Sequence, residues 1–261
     1  MENRIMKKNN YSLLVLFALL AFGCNRNKEG DKIIDVEKEF SFQLWEQLDE
    51  NGGNFQLIAA TLQNQNCGGM HIEYTQNTIG SKITVTLKNL APPAACNGKI
   101  EPAVDTISLG NLTKGTYKLN INLKDAVLND GSLVVDDKKY TLFMAKTDGI
   151  EVPQREVLRV PRGAIWGYFS YENGQEAKMI KFTDNLTRLT TPLSISQGDY
   201  GYFTVKSAAV DIKSSFDSKK ANVKQLLATL TGSRLELQTL IQDYRNQGLD
   251  IKILTFDGKT L

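Results

Sequence analysis

Histidine is almost missing from this chain of 261 residues, with His71 the only one. A Ser–His or Cys–His nucleophile therefore has one candidate base, and His71 alternates with Ile72 and Tyr74 as a sheet side chain would. Cysteine is scarce at 3, and two cysteines with one histidine do not complete a zinc set; no metal and no cofactor is expected. The phosphate-cradling loop, the GxGxxG turn, the GxSxG elbow and the HExxH helix are all missing, which weakens the corresponding nucleotide, serine-hydrolase and zinc-protease readings. An excess of one charge is missing too, the formal net charge being +2, so no basic footprint for nucleic acid exists. Aromatics are few, at 8%. The apolar run Leu13–Phe22 is about ten residues, well short of the roughly 20 a membrane-spanning helix needs.

What is present begins with that run. Lys7 and Lys8 precede it and Gly23–Cys24 ends it, the layout of a secretory signal over residues 1–23. Leu20-Ala21-Phe22-Gly23-Cys24 resembles the lipobox of bacterial lipoproteins, Phe22 being bulkier than the usual pattern. The resemblance implies cleavage after Gly23, acyl chains on Cys24 and a lipid-anchored protein of the cell envelope. Asn25, where an aspartate is absent, implies the outer membrane by the same resemblance. Loss of residues 1–23 removes Arg4, Lys7, Lys8 and Glu2, so 31 basic and 29 acidic residues fall to 28 each. An exported chain meets an oxidising compartment, where Cys67 and Cys96 are left as an even pair and are expected to be bridged.

Residues 24–35 are polar and read as a tether. Residues 36–145 have the texture of short strands between Gly, Asn and Pro turns. Ile83, Val85 and Leu87 alternate with Thr84 and Thr86, as half-buried strand residues do. Between Val36 and Leu48 a four-residue spacing suits a helix and the alternation of Phe40, Phe42 and Leu44 suits a strand, which is preferred. Leu112 to Ile121, with Gly115 and Tyr117, resembles the tyrosine corner of immunoglobulin-like and fibronectin-like sandwiches. The expectation is therefore a mainly-β protein: an antiparallel immunoglobulin-like sandwich, a linker at 146–161 and a small α+β domain at 162–261. In that second domain strands are expected at 165–171 and 177–182, joined at Asn173-Gly174, and at 200–206. Val223, Leu226, Leu227 and Leu230 have helical spacing. Ser233 to Glu236 reads as a capping box opening a second helix, which Gly248 ends.

Trp166 and Tyr168 share one strand face, and Tyr200 and Tyr202 another. Flat rings on a sheet offer a sugar or a peptide something to stack on, which makes these four a candidate recognition face; the competing reading is that the helices cover them as core. Asp136-Asp137 and Asn129-Asp130 suit hairpin turns or, less simply, a calcium site. Asp105-Thr106-Ile107 resembles a bacterial O-glycosylation sequon. A non-catalytic binding or assembly module at the envelope, meeting a protein or glycan, is the expected function. A carboxylate-dependent hydrolase acting on glycans is the alternative, because acids are plentiful and such pairs come from distant positions.

Overall fold

Ile83, Val85 and Leu87 are buried while Thr84 and Thr86 between them are half-buried, and the same two-residue rhythm builds most of the first half of the protein. The computed structural model describes residues 37–50, 53–124, 126–207, 209–213 and 220–261. Cys24, the signal segment and the tether lie outside the described residues. Strand covers about 50% of the described residues and helix about 13%, which makes the protein mainly β.

Ten strands form two facing sheets. They are β1 (Phe40–Gln47), β2 (Asn54–Thr61), β3 (His71–Ile79), β4 (Lys82–Ala91) and β5 (Val104–Gly110), followed by β6 (Gly115–Leu123), β7 (Val127–Val135), β8 (Lys139–Met144), β9 (Ile150–Glu151) and β10 (Glu156–Leu158). The first sheet has the order β5-β2-β1-β9 and the second β10-β8-β7-β6-β4-β3. Their inner faces share one core that includes Phe42, Leu44, Phe55, Leu57, Ile83 and Ile121. Most neighbours are antiparallel, but β4 runs parallel to β6 and β1 parallel to β9. The reason lies in the connection. After β4 the chain crosses to the other sheet, runs β5 there and returns, and such a crossover is what a parallel pair requires. The tyrosine corner is present, with Tyr117 Oη donating to Thr113 O at 2.9 Å.

The stretch 146–161 differs from a linker. Its strand β9 adds to the first sheet through Phe40↔Ile150 and its strand β10 to the second through Val157↔Tyr140. Ile150, Val152 and Val157 carry the sandwich core into it, because burying these three apolar residues outweighs the turn propensity of the prolines around them. Glu37–Leu261 form one compact unit.

The remaining elements are β11 (Ala164–Tyr171), α1 (Glu176–Leu189), β12 (Thr190–Pro192), β13 (Gly198–Asp199), β14 (Phe203–Val205), β15 (Val210–Ile212), β16 (Asn222–Leu230), α2 (Arg234–Asn246) and β17 (Asp250–Thr255). A sheet of order β12-β16-β11-β17 carries both helices on one face, where Phe169, Phe182, Leu186, Leu237 and Ile241 pack. Two expectations exchange places here. Residues 177–182 belong to helix α1, with Met179, Phe182 and Leu186 buried, and 223–230 form strand β16 rather than a helix. Asn173-Gly174 turns the chain from β11 into α1 instead of closing a hairpin, with Gly174 at φ 87°, a conformation that suits glycine. Helix α2 is as expected: the Ser233–Glu236 capping box is complete. At its other end Gly248 N–H donates to Arg245 O and Leu249 N–H to Tyr244 O, the Schellman pattern that a left-handed glycine permits.

Candidate functional site

The period of two along β11 sends Ile165 and Phe169 to the helices and Ala164, Trp166 and Tyr168 to the opposite face. That opposite face is closed. The three-stranded sheet β13-β14-β15 lies over it, and Leu48 at the end of β1 joins from the sandwich. Trp166 is 0% exposed, its ring centroid 5.5 Å from Tyr202 and 5.4 Å from Phe203. Tyr200 is buried and stacked on Phe203 at 4.9 Å.

Tyr168 and Tyr202 are half-buried and their hydroxyls are committed: Tyr168 Oη donates to Ile212 O at 2.6 Å, and Tyr202 Oη accepts from Leu48 N–H at 3.2 Å. Burial pushes the pKa of Tyr168, Tyr200 and Tyr202 above the ordinary phenol value. Trp166 and Tyr200 are therefore interior and Tyr168 and Tyr202 half-covered, so the four do not form an open recognition face. Alternation correctly placed Trp166 and Tyr168 on one side of β11, whereas Tyr200 and Tyr202 lie in the turn between β13 and β14 and only 203–205 of the expected strand 200–206 is strand. The cover over that side comes from strands of two or three residues, which leave little trace in sequence.

The covering includes a residue from the far end of the chain. Trp45 of β1 faces away from the sandwich core and meets Tyr202 at 4.6 Å. Beside it Glu46 points inward at 4% exposure. It accepts from Tyr140 Oη at 2.7 Å and from Arg159 Nε at 3.2 Å, and the Arg159 guanidinium also sits 5.2 Å from the Tyr140 ring centre. Burial raises the Glu46 pKa above its ordinary value, although the bonds from Tyr140 and Arg159 oppose that. The signal was available in sequence, since Phe42, Leu44 and Glu46 put an acid at an apolar position of an alternating strand.

A second buried acid, Asp257, bonds Arg234 Nη1 at 2.6 Å and accepts from the Thr255 hydroxyl. Burial works against its charge, but these two partners outweigh burial and hold the pKa below the usual carboxylate range. Each buried acid thus has its own arginine, an arrangement that joins elements rather than one poised to donate or take a proton.

His71 begins β3 with an exposed side chain, its Nδ1 3.7 Å from Asp105 Oδ1. Asp136 serves its hairpin: Oδ1 accepts from Lys138 N–H at 2.7 Å and Lys139 N–H at 2.8 Å. Asp137 pairs with Lys114. Among the described residues no group of three or more His, Cys, Asp or Glu could hold a metal ion. Cys67 and Cys96 are bridged, with Cα atoms 5.0 Å apart. Thr106 is exposed on β5, an edge strand.

Concave surface is found along helix α2. One groove of about 490 Å³ lies between it and the last residues, lined by Gln238, Gln242, Arg245 and Leu261 among others. Another of about 440 Å³ lies between α1 and α2, lined by Asn185, Arg188, Leu189, Leu235 and Leu240 among others. Leu235 is a largely exposed apolar side chain there. Neither Glu46 nor Asp257 lines either groove. No protein-family model, curated protein or solved structure matches the chain. Its function has to be argued from its own residues.

Proposed function

We propose that the protein is an exported lipoprotein, held at the cell envelope through acylated Cys24, and that it works there as a non-catalytic binding or assembly module. The observation that carries the address is the basic pair Lys7 and Lys8, the apolar run Leu13–Phe22 and the stop at Gly23-Cys24. Acyl chains contribute about 0.8 kcal/mol per buried methylene, and stable anchoring takes more than one chain. Binding is favoured over glycan hydrolysis by the way the buried acids are used: Glu46 and Asp257 are each spent on an arginine. The groove between α1 and α2, with Leu189, Leu235 and Leu240 beside Arg188 and Asp243, is the contact surface we favour for an envelope protein.

Two measurements test the reading. Cys24→Ser should leave the precursor uncut or release the protein from the membrane fraction; unchanged processing and fractionation rule out the anchor. A photo-reactive residue at position 235, irradiated in intact cells, should give one discrete adduct. If position 235 yields no adduct and the purified protein cleaves envelope glycans, the hydrolase is the better description.

A further inference from the structure

The end of the sandwich at which the chain enters β1 carries its own apolar surface. Leu62 N–H donates to Glu39 O at 2.8 Å, and Glu39 N–H donates to Gly149 O at 2.9 Å, so Leu62 lies beside the first described residues. Gln65 N–H donates to Glu101 O at 2.8 Å, and Gly69 N–H to Glu101 Oε1 at 3.1 Å, which brings the loop after β4 to the same end. That loop, residues 92–103, reads Pro-Pro-Ala-Ala-Cys-Asn-Gly-Lys-Ile-Glu-Pro-Ala, with Lys99 and Glu101 as its two charges. Ile100, just before the Gln65–Glu101 bridge, is 67% exposed and Leu62 is 42% exposed. The Cys67–Cys96 bridge ties the two loops together, so these side chains are held outward at little further entropic cost.

We propose that this end rests on the bilayer, with Ile100 and Leu62 entering the boundary between headgroups and acyl chains. The inference relies on Cys24 being the lipid anchor. Residues 24–36 reach at most about 45 Å when fully extended, and they join the body at Glu37, next to Leu62. The tether therefore leaves the body beside these loops, so of the two ends of the sandwich this is the one nearer the point of attachment. An exposed isoleucine beside a lysine, in a loop whose one acid, Glu101, is turned to accept from Gly69 N–H, suits an interface whose depth is apolar and whose surface is anionic. The opposite end supplies an internal control. Ile79, at the tip of the β3–β4 hairpin, is as exposed at 71%, yet it lies the length of β3 away, about 27 Å at strand rise.

The test uses the full chain, processed and acylated in its host, in vesicles of phosphatidylethanolamine and phosphatidylglycerol containing doxyl-labelled lipid. Tryptophan is introduced as Ile100→Trp, Leu62→Trp or Ile79→Trp; the native Trp45 and Trp166 supply a constant background. Flotation with the vesicles is measured first. We expect lipid quenching of the added fluorescence to be at least twofold greater for Ile100→Trp and Leu62→Trp than for Ile79→Trp, with unchanged melting temperatures. Flotation without that difference overturns the inference and leaves the anchor intact. A blue-shifted but unquenched Ile100→Trp, the mark of cover by a second copy or another protein, overturns it as well. Failure to float removes both the anchor and the inference.

Discussion

Trp166 separates an interior role for the aromatic cluster from a recognition role, and Trp166→Ala is the perturbation that shows it. The indole is fully buried between β11 and the three-stranded sheet, with Tyr202 and Phe203 on it. Truncating a buried Trp to Ala costs about 3–5 kcal/mol through lost transfer energy and the remaining cavity. One feature lowers that sum. Trp166 Nε1 is buried without a hydrogen-bond acceptor among the described residues, and an orphan donor already costs the folded state about 1–3 kcal/mol. Removing it returns part of the loss, so Trp166→Ala should cost about 2–4 kcal/mol, or roughly 5–15 °C in melting temperature at this size.

Trp166→Phe keeps a ring and deletes the orphan N–H, so it should stay within about 1 kcal/mol of the parent. Urea denaturation of the mature protein, followed by far-ultraviolet circular dichroism, measures both. A loss under about 1 kcal/mol for Trp166→Ala would refute burial of the ring. A Trp166→Phe variant as damaged as Trp166→Ala would refute the argument about the orphan donor.

Other outcomes follow from the same structure. Replacing Cys67 and Cys96 together by alanine should destabilise by about 3–4 kcal/mol in the chain-entropy account, for a sequence separation of 29; equal denaturation midpoints for the reduced and oxidised parent would contradict it. Glu46 has its pKa raised by burial, so the folded state holds the proton more tightly than the unfolded chain, and stability falls as pH rises from the ordinary carboxylate value through the raised one. Glu46→Gln removes that slope: its stability relative to the parent should improve between acid and neutral pH, and parallel pH profiles would show that Glu46 does not titrate there. Limited proteolysis should not release 162–261 as an early fragment, because β9 and β10 are paired into both sandwich sheets; a rapid cut within 146–161 would restore the linker.

How legible the fold was depended on how many faces of each strand are covered. The sandwich strands are buried on one side, so Ile83, Val85 and Leu87 alternate with threonines and their strand could be read directly. The second half of strand β16, Leu226 to Leu230, is covered on both sides. Leu226, Ala228 and Leu230 face the helices while Leu227 faces the cluster of Trp166. Apolar residues on both faces destroy the period of two, and their spacing then matched a helical stripe by coincidence. Helix α1 failed in the opposite direction. Its cap residue Gln175 makes no side-chain cap bond, so only Met179, Phe182 and Leu186 mark it, whereas α2 announces itself with Ser233 and Glu236.

The same covering explains why the candidate site moved. An aromatic pair at period two specifies a face but not what lies on it, and here the cover is assembled from β13, β14 and β15 together with Trp45 and Leu48, more than a hundred residues earlier in the chain. Tyr202 is the joint in that assembly: its ring meets both Trp45 and Trp166, and its hydroxyl takes the N–H of Leu48. Those contacts fasten the helix-bearing sheet to β1, while Arg159, just after β10, ties β1 to the second sandwich sheet through Glu46. With the aromatic face consumed in this way, the recognition proposed above falls to outward surface, of which the flanks of α2 and the disulfide-tied loops are the parts we favour. The two surfaces lie on different parts of the body, so a chain tethered through residues 24–36 could rest its loops on lipid while the groove beside Leu235 meets a partner. Charge reversal at Arg188 in that groove, as Arg188→Glu, should then abolish the partner adduct at position 235 without changing quenching at position 100, and loss of both together would mean that one surface serves both contacts.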